Sequence, residues 1–458
     1  MIKNLGNFEK AKKILKEDKN NTVYFIFEDK LNAFKENETL LKDAVFTVKA
    51  NFANKYDKST GSSKSLENFV PSYNATVIQK VIEQGANPVA ITNCDELGLG
   101  GLGLFSSNGP IYNPLDSNKI VGGSSSGAAA TINENISFAI ASDTGDSVRR
   151  PASFVGKVGF KPSYGAVSRF GLFSYSTSLD TVAWFANNVN DATQVAKAVY
   201  GKDENDLSSK EVEINSLSLD FEANKEKFKP KKVGILNLFK FAKSYVTKAF
   251  HKIVHLLIQQ GIEVEFINVD EELLKCIDPV YAIITYSEAT SNLSAINGLT
   301  FGNTKENQTW EEIFKDTRSK FDYHLQKRLI LGSFYLSKDN QEKYFIKAKK
   351  ARRVIKEYYD NILSQYSCVI FPSFVGVAPD VKNIETDYSL NGNILGFILT
   401  LANLVGNPSI SIPLGKYNNF PFNLSIESKL YDDANLLKYS LYFEDLIKSL
   451  SEEKNSGN

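Results

Sequence analysis

Apolar and polar positions alternate in blocks along the chain. TVYFIFE (22–28), AVFTVKA (44–50), PVAITN (88–93) and SFAIAS (137–142) are short runs dense in β-branched and aromatic residues, which predicts strands. ATVIQKVIEQG (75–85) has the spacing of a helix, and VTKAFHKIVHLLIQQG (246–261) predicts an amphipathic helix that stops at Gly261. IEVEFINV (262–269), CVIFPS (368–373) and SISIPLG (409–415) predict further strands. Strands alternating with helices predict an α/β fold, a mixed β-sheet core covered by helices on both faces. MIKNLGNFEKAKKILKEDKN predicts a polar helix within an N-terminal helical segment over 1–38, ahead of a main domain over 39–450 and a polar tail over 451–458. The stretch 202–230, rich in Lys, Glu, Asp and Ser, predicts a surface excursion, and 303–366 a helical insertion. The longest apolar run, ILGFILTLANLVG (394–406), is shorter than the ~20 residues that span a bilayer and is interrupted by Thr400 and Asn403, so it predicts a buried helix.

Charge narrows the picture. Among 458 residues, 53 Lys+Arg balance 53 Asp+Glu, which excludes a global basic field for wrapping nucleic acid. Cys94, Cys276 and Cys368 lie far apart with no CxxC pair, arguing against a disulfide framework and a zinc site. With no apolar signal-like region at the amino terminus, a reduced, cytoplasmic setting is expected.

VGGSSSGAAA (121–130) reads in isolation as either a flexible linker or a turn that holds a hydroxyl. Val121 and the run Ala128–Ala130 favour a tightly packed helix start. A second glycine–serine turn lies in SDTGDSVRRPASFVGKVGFKPSYG (142–165), where Ser147 follows a predicted strand. Two such turns at neighbouring strand ends bring two hydroxyls to one cleft. A serine nucleophile needs a base. The three histidines, His251, His255 and His324, lie outside turns, and HKIVH lacks the glutamate of a zinc protease helix, so no metal is expected. Lysine serves as base once burial lowers its pKa from ~10.4. Lys49, at the end of AVFTV, either snorkels outward or has this role.

Lys49 in FTVKAN, Ser124 in GGSSSG and Ser147 in SDTGDSVRRPAS together resemble the Ser-cisSer-Lys triad of the amidase signature family, in this order and nearly this spacing. SSKSLENFVPSYNATVIQKVIEQGA (62–86), ITNCDELGLGG (91–101), GFKPSYGAVSRFGLFSYSTSLDTVAWF (159–185) and SEATSNL (287–293) are similar to the branch of that family that serves tRNA-dependent amidotransferases. The resemblance implies the amidase signature fold and a glutaminase component of the ligase complex that converts Glu-tRNA(Gln) to Gln-tRNA(Gln). It implies Ser147 as nucleophile, Ser124 as proton shuttle and Lys49 as base. Backbone N–H groups of Thr144, Gly145, Asp146 and Ser147 would face the oxyanion, and Tyr281 and Arg328 (in QKRLILG) would contact glutamine. It further implies B and C partner subunits, tRNA bound through the complex, no cofactor on this chain, ATP and Mg2+ used by the complex, and no membrane.

The sequence departs from the family pattern in places. Where the family has an acidic contact for the α-ammonium of glutamine, this chain has Gly396; Asn391 or Asn393 substitutes, or the register has slipped, or selectivity is weaker. Ala50 replaces an aspartate after the lysine, and Asp146 replaces a glycine before the nucleophile, a swap expected to keep the charge near Lys49 constant. A free-standing amidase for another amide and a catalytically weakened scaffold stand as alternatives.

Overall fold

The computed structural model describes residues 2–31, 39–214, 217, 221–302, 308–384 and 393–456. Its centre is an 11-stranded sheet in the order β1-β3-β2-β4-β6-β5-β10-β11-β9-β7-β8. The strands are β1 Val23–Ile26, β2 Val45–Lys49, β3 Asn87–Thr92, β4 Phe138–Asp143, β5 Val158–Lys161, β6 Thr181–Ala186, β7 Lys232–Leu236, β8 Glu263–Ile267, β9 Cys368–Pro372, β10 Ser409–Tyr417 and β11 Phe420–Glu427. Parallel pairs β3–β2–β4 and β9–β7–β8 flank an antiparallel centre that runs from β4 through β6, β5, β10 and β11 to β9. The sheet is therefore mixed, as expected.

β2, β3 and β4 are buried at every position. That is the reason for their near-continuous apolar runs, since a parallel sheet is covered on both faces. On one face, Phe46 stacks on Phe138 with centroids 5.1 Å apart, and Trp184 meets Phe160 edge-on at 5.1 Å. The Trp184 indole N–H donates to the Ala192 carbonyl at 3.0 Å, so the largest buried side chain leaves no donor unpaired. β10 and β11 form a hairpin whose tip, Asn418 and Asn419, takes positive φ values of 49° and 67°, the backbone that a two-residue turn requires.

The segment over 1–38 supplies more than a helix. After Phe8–Lys16 the chain enters β1, which pairs antiparallel with β3 at the edge of the same sheet. The stretch 202–230 is less of an excursion than its composition suggests. Val212, Ile214, Leu217 and Phe228 are buried in the main core, and the helix Phe221–Phe228 packs on the C-terminal helix Asp433–Ser456. Between 308 and 366 the chain is helical, as Trp310–Ser319, Tyr323–Leu336 and Lys347–Ser364, joined by a π-turn over Glu342–Ile346; the middle helix packs along Ile277–Asn292.

The run 394–406 is buried but is not one helix. It forms 3-10 turns at Ile394–Gly396 and Ile398–Thr400 and a short α-turn at Leu401–Val405, which Gly406 ends at φ +94°. Arginines take its carbonyls: Arg150 that of Gly396 at 2.8 Å, Arg149 that of Leu399 at 2.7 Å and Arg352 that of Leu404 at 2.8 Å. No described helix is long and apolar enough to cross a membrane.

Trp184→Ala should destabilise the fold by about 3–5 kcal/mol, the usual cost of emptying an aromatic core site. A lowered urea midpoint checks this, and an unchanged midpoint contradicts the packing described.

Candidate active site

β2 and β4 are parallel, so Lys49 and Asp143 end at one edge of the sheet, where crevices form in α/β proteins. Lys49 is fully buried. Its Nζ lies 2.9 Å from Ser124 Oγ and 2.9 Å from Ser142 Oγ, and Asn51 Nδ2 also donates to Ser142 Oγ at 3.0 Å. Burial pushes the Lys49 pKa down, opposed by Cys94, Asp95, Asp143 and Asp180. Ser124 Oγ stands 3.2 Å from Ser147 Oγ. The structure thus joins the expected trio into one hydrogen-bonded chain and adds a fourth member, Ser142, the first residue of SDTGDSVRRPAS, to which the resemblance assigns no role.

The turn that presents Ser124 is held from below. The Gly123–Ser124 peptide is cis. The buried Asp95 carboxylate accepts from the N–H groups of Gly101, Gly103 and Phe105 at 2.8, 3.2 and 3.0 Å, curling the glycine-rich loop around it. A Cβ at Gly123 would stand 2.2 Å from Asp95 Oδ2, so glycine is required there. Behind the turn, Ser125 Oγ donates to the Ser142 carbonyl at 3.0 Å, which ties the two strand-end turns together.

Between β4 and the helix Arg149–Val155, the turn 144–147 is fixed by groups that grip its carbonyls. Arg149 makes a two-pronged ion pair with Asp143, Nε to Oδ2 at 3.2 Å and Nη2 to Oδ1 at 2.9 Å, both side chains fully buried. Burial alone would push Asp143 up, but the Arg149 guanidinium holds it below the usual carboxylate range. Arg149 Nη2 also donates to the Gly145 carbonyl at 2.7 Å, and Asn403 Nδ2 donates to the Asp143 carbonyl at 2.9 Å. In a planar trans peptide C=O and N–H point opposite ways. Pulling the Asp143 and Gly145 carbonyls towards Arg149 and Asn403 therefore turns the N–H groups of Thr144 and Asp146 to the other side. The N–H groups of Thr144, Gly145, Asp146 and Ser147 have no acceptor among the described residues, whereas Val148 N–H is taken by Asp143 Oδ2 at 3.0 Å. Such a fan of free donors suits a developing oxyanion.

Tyr281 and Arg328 reach the same place from two packed helices, Ile277–Asn292 and Tyr323–Leu336. The Tyr281 hydroxyl covers Gly145, where a Cβ would come within 2.9 Å of it. Arg328 lies over the Tyr286 ring at 5.5 Å, and its buried Nε has no hydrogen-bond partner among the described residues. An unpartnered guanidinium nitrogen beside Tyr175 and Tyr281 is a ready site for a carboxylate. Glu96 sets the second helix in position by accepting from Ser63 Oγ at 2.5 Å and from the N–H of Asp322, which precedes it, at 2.8 Å.

Two sequence expectations change. Asp146 does not compensate Lys49; its carboxylate is in ionic contact with Arg150, one helical turn on, whose guanidinium reaches the Gly396 carbonyl. Asn393 is engaged locally, accepting from Leu395 N–H at 3.2 Å and donating to the Phe241 carbonyl at 3.4 Å, while Asn391 lies outside the described residues. His251 stacks on Phe239 and His324 on Phe105, and neither is a hydrogen-bond partner of Lys49, Ser124 or Ser147 among the described residues. Among the described residues no cluster of His, Cys, Asp and Glu is arranged to hold a metal ion.

A buried lysine linked through a serine to a second serine, set beneath free backbone donors, is the site of an amidase-type hydrolase. A model of the amidase family matches residues 13–437. The chain is 36% identical over 442 residues to the A subunit of glutamyl-tRNA(Gln) amidotransferase from Mycoplasma genitalium, covering 93% of this chain and 90% of that one. To its counterpart in Sulfolobus acidocaldarius it is 34% identical over 419 residues, covering 89% and 86%. The crystal structure of the Thermotoga maritima counterpart superposes with a TM-score of 0.75 at 28% identity, covering 95% of this chain and 93% of that one. Peptide amidase from Stenotrophomonas maltophilia, 20% identical with a TM-score of 0.76, shares the fold. The chain belongs to the amidase family, and within it to the family of these amidotransferase A subunits.

Ser142→Ala should lower kcat about fivefold, the worth of a hydrogen bond of ~1 kcal/mol, with KM unchanged. Since only neutral lysine accepts a proton, activity should fall as pH drops through the depressed Lys49 pKa. A pH–rate profile with its acid limb at or above the ~10.4 of an ordinary lysine would remove Lys49 as base.

Proposed function

We propose that the chain is the glutamine-hydrolysing component of a tRNA-dependent amidotransferase that makes Gln-tRNA(Gln) from Glu-tRNA(Gln). The observation that carries this reading is the run from Lys49 to Ser124 to Ser147 at 2.9 and 3.2 Å, in a chain related over most of its length to such proteins. Ser147 attacks the side-chain amide carbon of glutamine while its proton passes through Ser124 to neutral Lys49. The N–H groups of Thr144, Gly145, Asp146 and Ser147 take the oxyanion. The proton returns to the leaving nitrogen, ammonia departs, and water releases glutamate from the acyl-enzyme by the same relay. Arg328 holds the α-carboxylate and Tyr281 closes over the substrate. Ammonia then goes to a B subunit, held with a C subunit in a cytoplasmic heterotrimer, where ATP and Mg2+ activate the tRNA-bound glutamate.

The test is ammonia release from glutamine and from asparagine, by the purified chain alone and with B and C subunits, charged tRNA and ATP. Glutamine turnover that rises in the complex is expected, and Ser147→Ala should reduce it by at least about 10³-fold. Turnover of neither amide in the full complex overturns the reading, and turnover of another amide without partners favours a free-standing amidase. Arg328→Ala should raise KM for glutamine about 10- to 100-fold, the loss of a charge-assisted hydrogen bond worth ~1.5–3 kcal/mol; an unchanged KM would move the carboxylate elsewhere.

A further inference from the structure

Asp146 is an awkward neighbour for a nucleophile. It is the residue immediately before Ser147, its own N–H belongs to the free donor fan, and its side chain is about nine-tenths buried. A carboxylate charge there opposes the negative charge that an oxyanion would develop a few bonds away. The surroundings do not all help. Burial, with Asp143 at the end of β4 and Asp278 of the helix Ile277–Asn292 as further carboxylates facing it, pushes the Asp146 carboxyl well above the usual carboxylate range; Tyr281 of that helix faces it too, and Arg149, paired with Asp143, opposes this only in part. What touches the Asp146 carboxylate is Arg150. Arg150 also donates to the Gly396 carbonyl at 2.8 Å and lies over the Phe374 ring at 5.9 Å, so its guanidinium is anchored on a wall outside the turn.

We propose that Arg150 is a positioning residue for the nucleophile turn: anchored on Gly396, it draws the Asp146 carboxylate to the outer wall and cancels its charge, leaving the turn's N–H groups free for the oxyanion. The inference rests on the reading of Ser147 as nucleophile given above. The departures at 146 and 396 then belong to one device. The Gly396 carbonyl anchors Arg150, and Arg150 makes a carboxylate at 146 tolerable.

The test uses the full chain and a fluorophosphonate probe, which phosphonylates an activated serine with loss of fluoride and needs no natural substrate. The rate is read by intact mass, with Ser147→Ala as the unlabelled control. Arg150→Gln should slow labelling about tenfold or more, on the scale of losing one oxyanion donor, and the deficit should deepen as rising pH ionises the unpaired Asp146. Arg150→Lys, which keeps the charge but not the fork, should fall between Arg150→Gln and wild type. The double variant Asp146→Asn/Arg150→Gln should return to within about threefold of wild type and regain its pH profile. Where Arg150→Gln does not fold, Arg150→Lys gives the single-variant reading, and Asp146→Asn/Arg150→Lys should label faster than Arg150→Lys. Arg150→Gln labelled within about twofold of wild type, or a double variant as slow as its Arg150 parent, would each overturn the proposal. A wild type that labels but releases no ammonia from glutamine removes the substrate assignment and leaves this inference standing.

Discussion

The site depends on a lysine that is buried where a charge is costly. Lys49 ends a strand whose every position is buried, and its amine meets hydroxyls, with no carboxylate among its hydrogen-bond partners in the described residues. Desolvation disfavours the ammonium form, so the fold pushes the amine towards the neutral state that a base requires. Carboxylates stand nearby, but each is held by other groups: Asp95 by loop N–H groups, Asp143 by Arg149, and Asp180 by Thr144 Oγ1 at 2.7 Å and Tyr175 N–H at 2.9 Å. Burial pushes Asp180 itself up to about 6, so near neutrality it stays mostly ionised and its charge is met by these hydrogen bonds. Anions that would recharge Lys49 are thus kept occupied around it.

The same logic governs the turn that carries Ser147. A buried ion pair contributes little net stability, because desolvation offsets most of the attraction. Its value here is directional. Arg149 reaches Asp143, the Gly145 and Leu399 carbonyls, Asn403 and Ser409 at once, and so fixes the turn against the broken helical run. The arginines cap carbonyls at the breaks and at the end of that run, where regular helical bonding is interrupted. The irregularity at 394–406 and the order of the turn at 144–147 are two ends of one set of hydrogen bonds.

How much of this is legible in the sequence depends on the range of the interaction. β2, β3 and β4 are plain, because burial on both faces writes a continuous apolar run. β5 is not, since Val158–Lys161 is four residues long, with a glycine and a lysine inside it. The triad is legible through motif resemblance, and its geometry agrees with that reading. Tyr281 and Arg328 also rest on resemblance, because nothing local distinguishes Arg328 from other cations on its helix. Ser142 opens the motif SDTGDSVRRPAS, but its contact with Lys49 comes from strand register, which brings the two together across parallel β2 and β4. Asp146 misleads for the opposite reason. Its cation is the nearby Arg150, an i, i+4 partner at a helix start, whereas the departures from family pattern at 50 and 146 suggest a longer-range exchange with Lys49.

Lys161 shows where local reading ends. Like Lys49 it closes a buried strand, is fully buried, and is lowered by burial, in its case to about 7. Its Nζ, however, donates to the carbonyls of Pro162 at 2.9 Å and Asn407 at 2.7 Å, groups that accept protons in hydrogen bonds but cannot relay them. Lys49 meets hydroxyls, which both donate and accept, and one of them leads on to Ser147. Two lysines with the same burial and the same place on their strands therefore differ in their capacity to pass on a proton through their partners alone. Those partners come from segments 75 and 93 residues away for Lys49 and up to 246 residues away for Lys161, a distance over which only the fold carries the information.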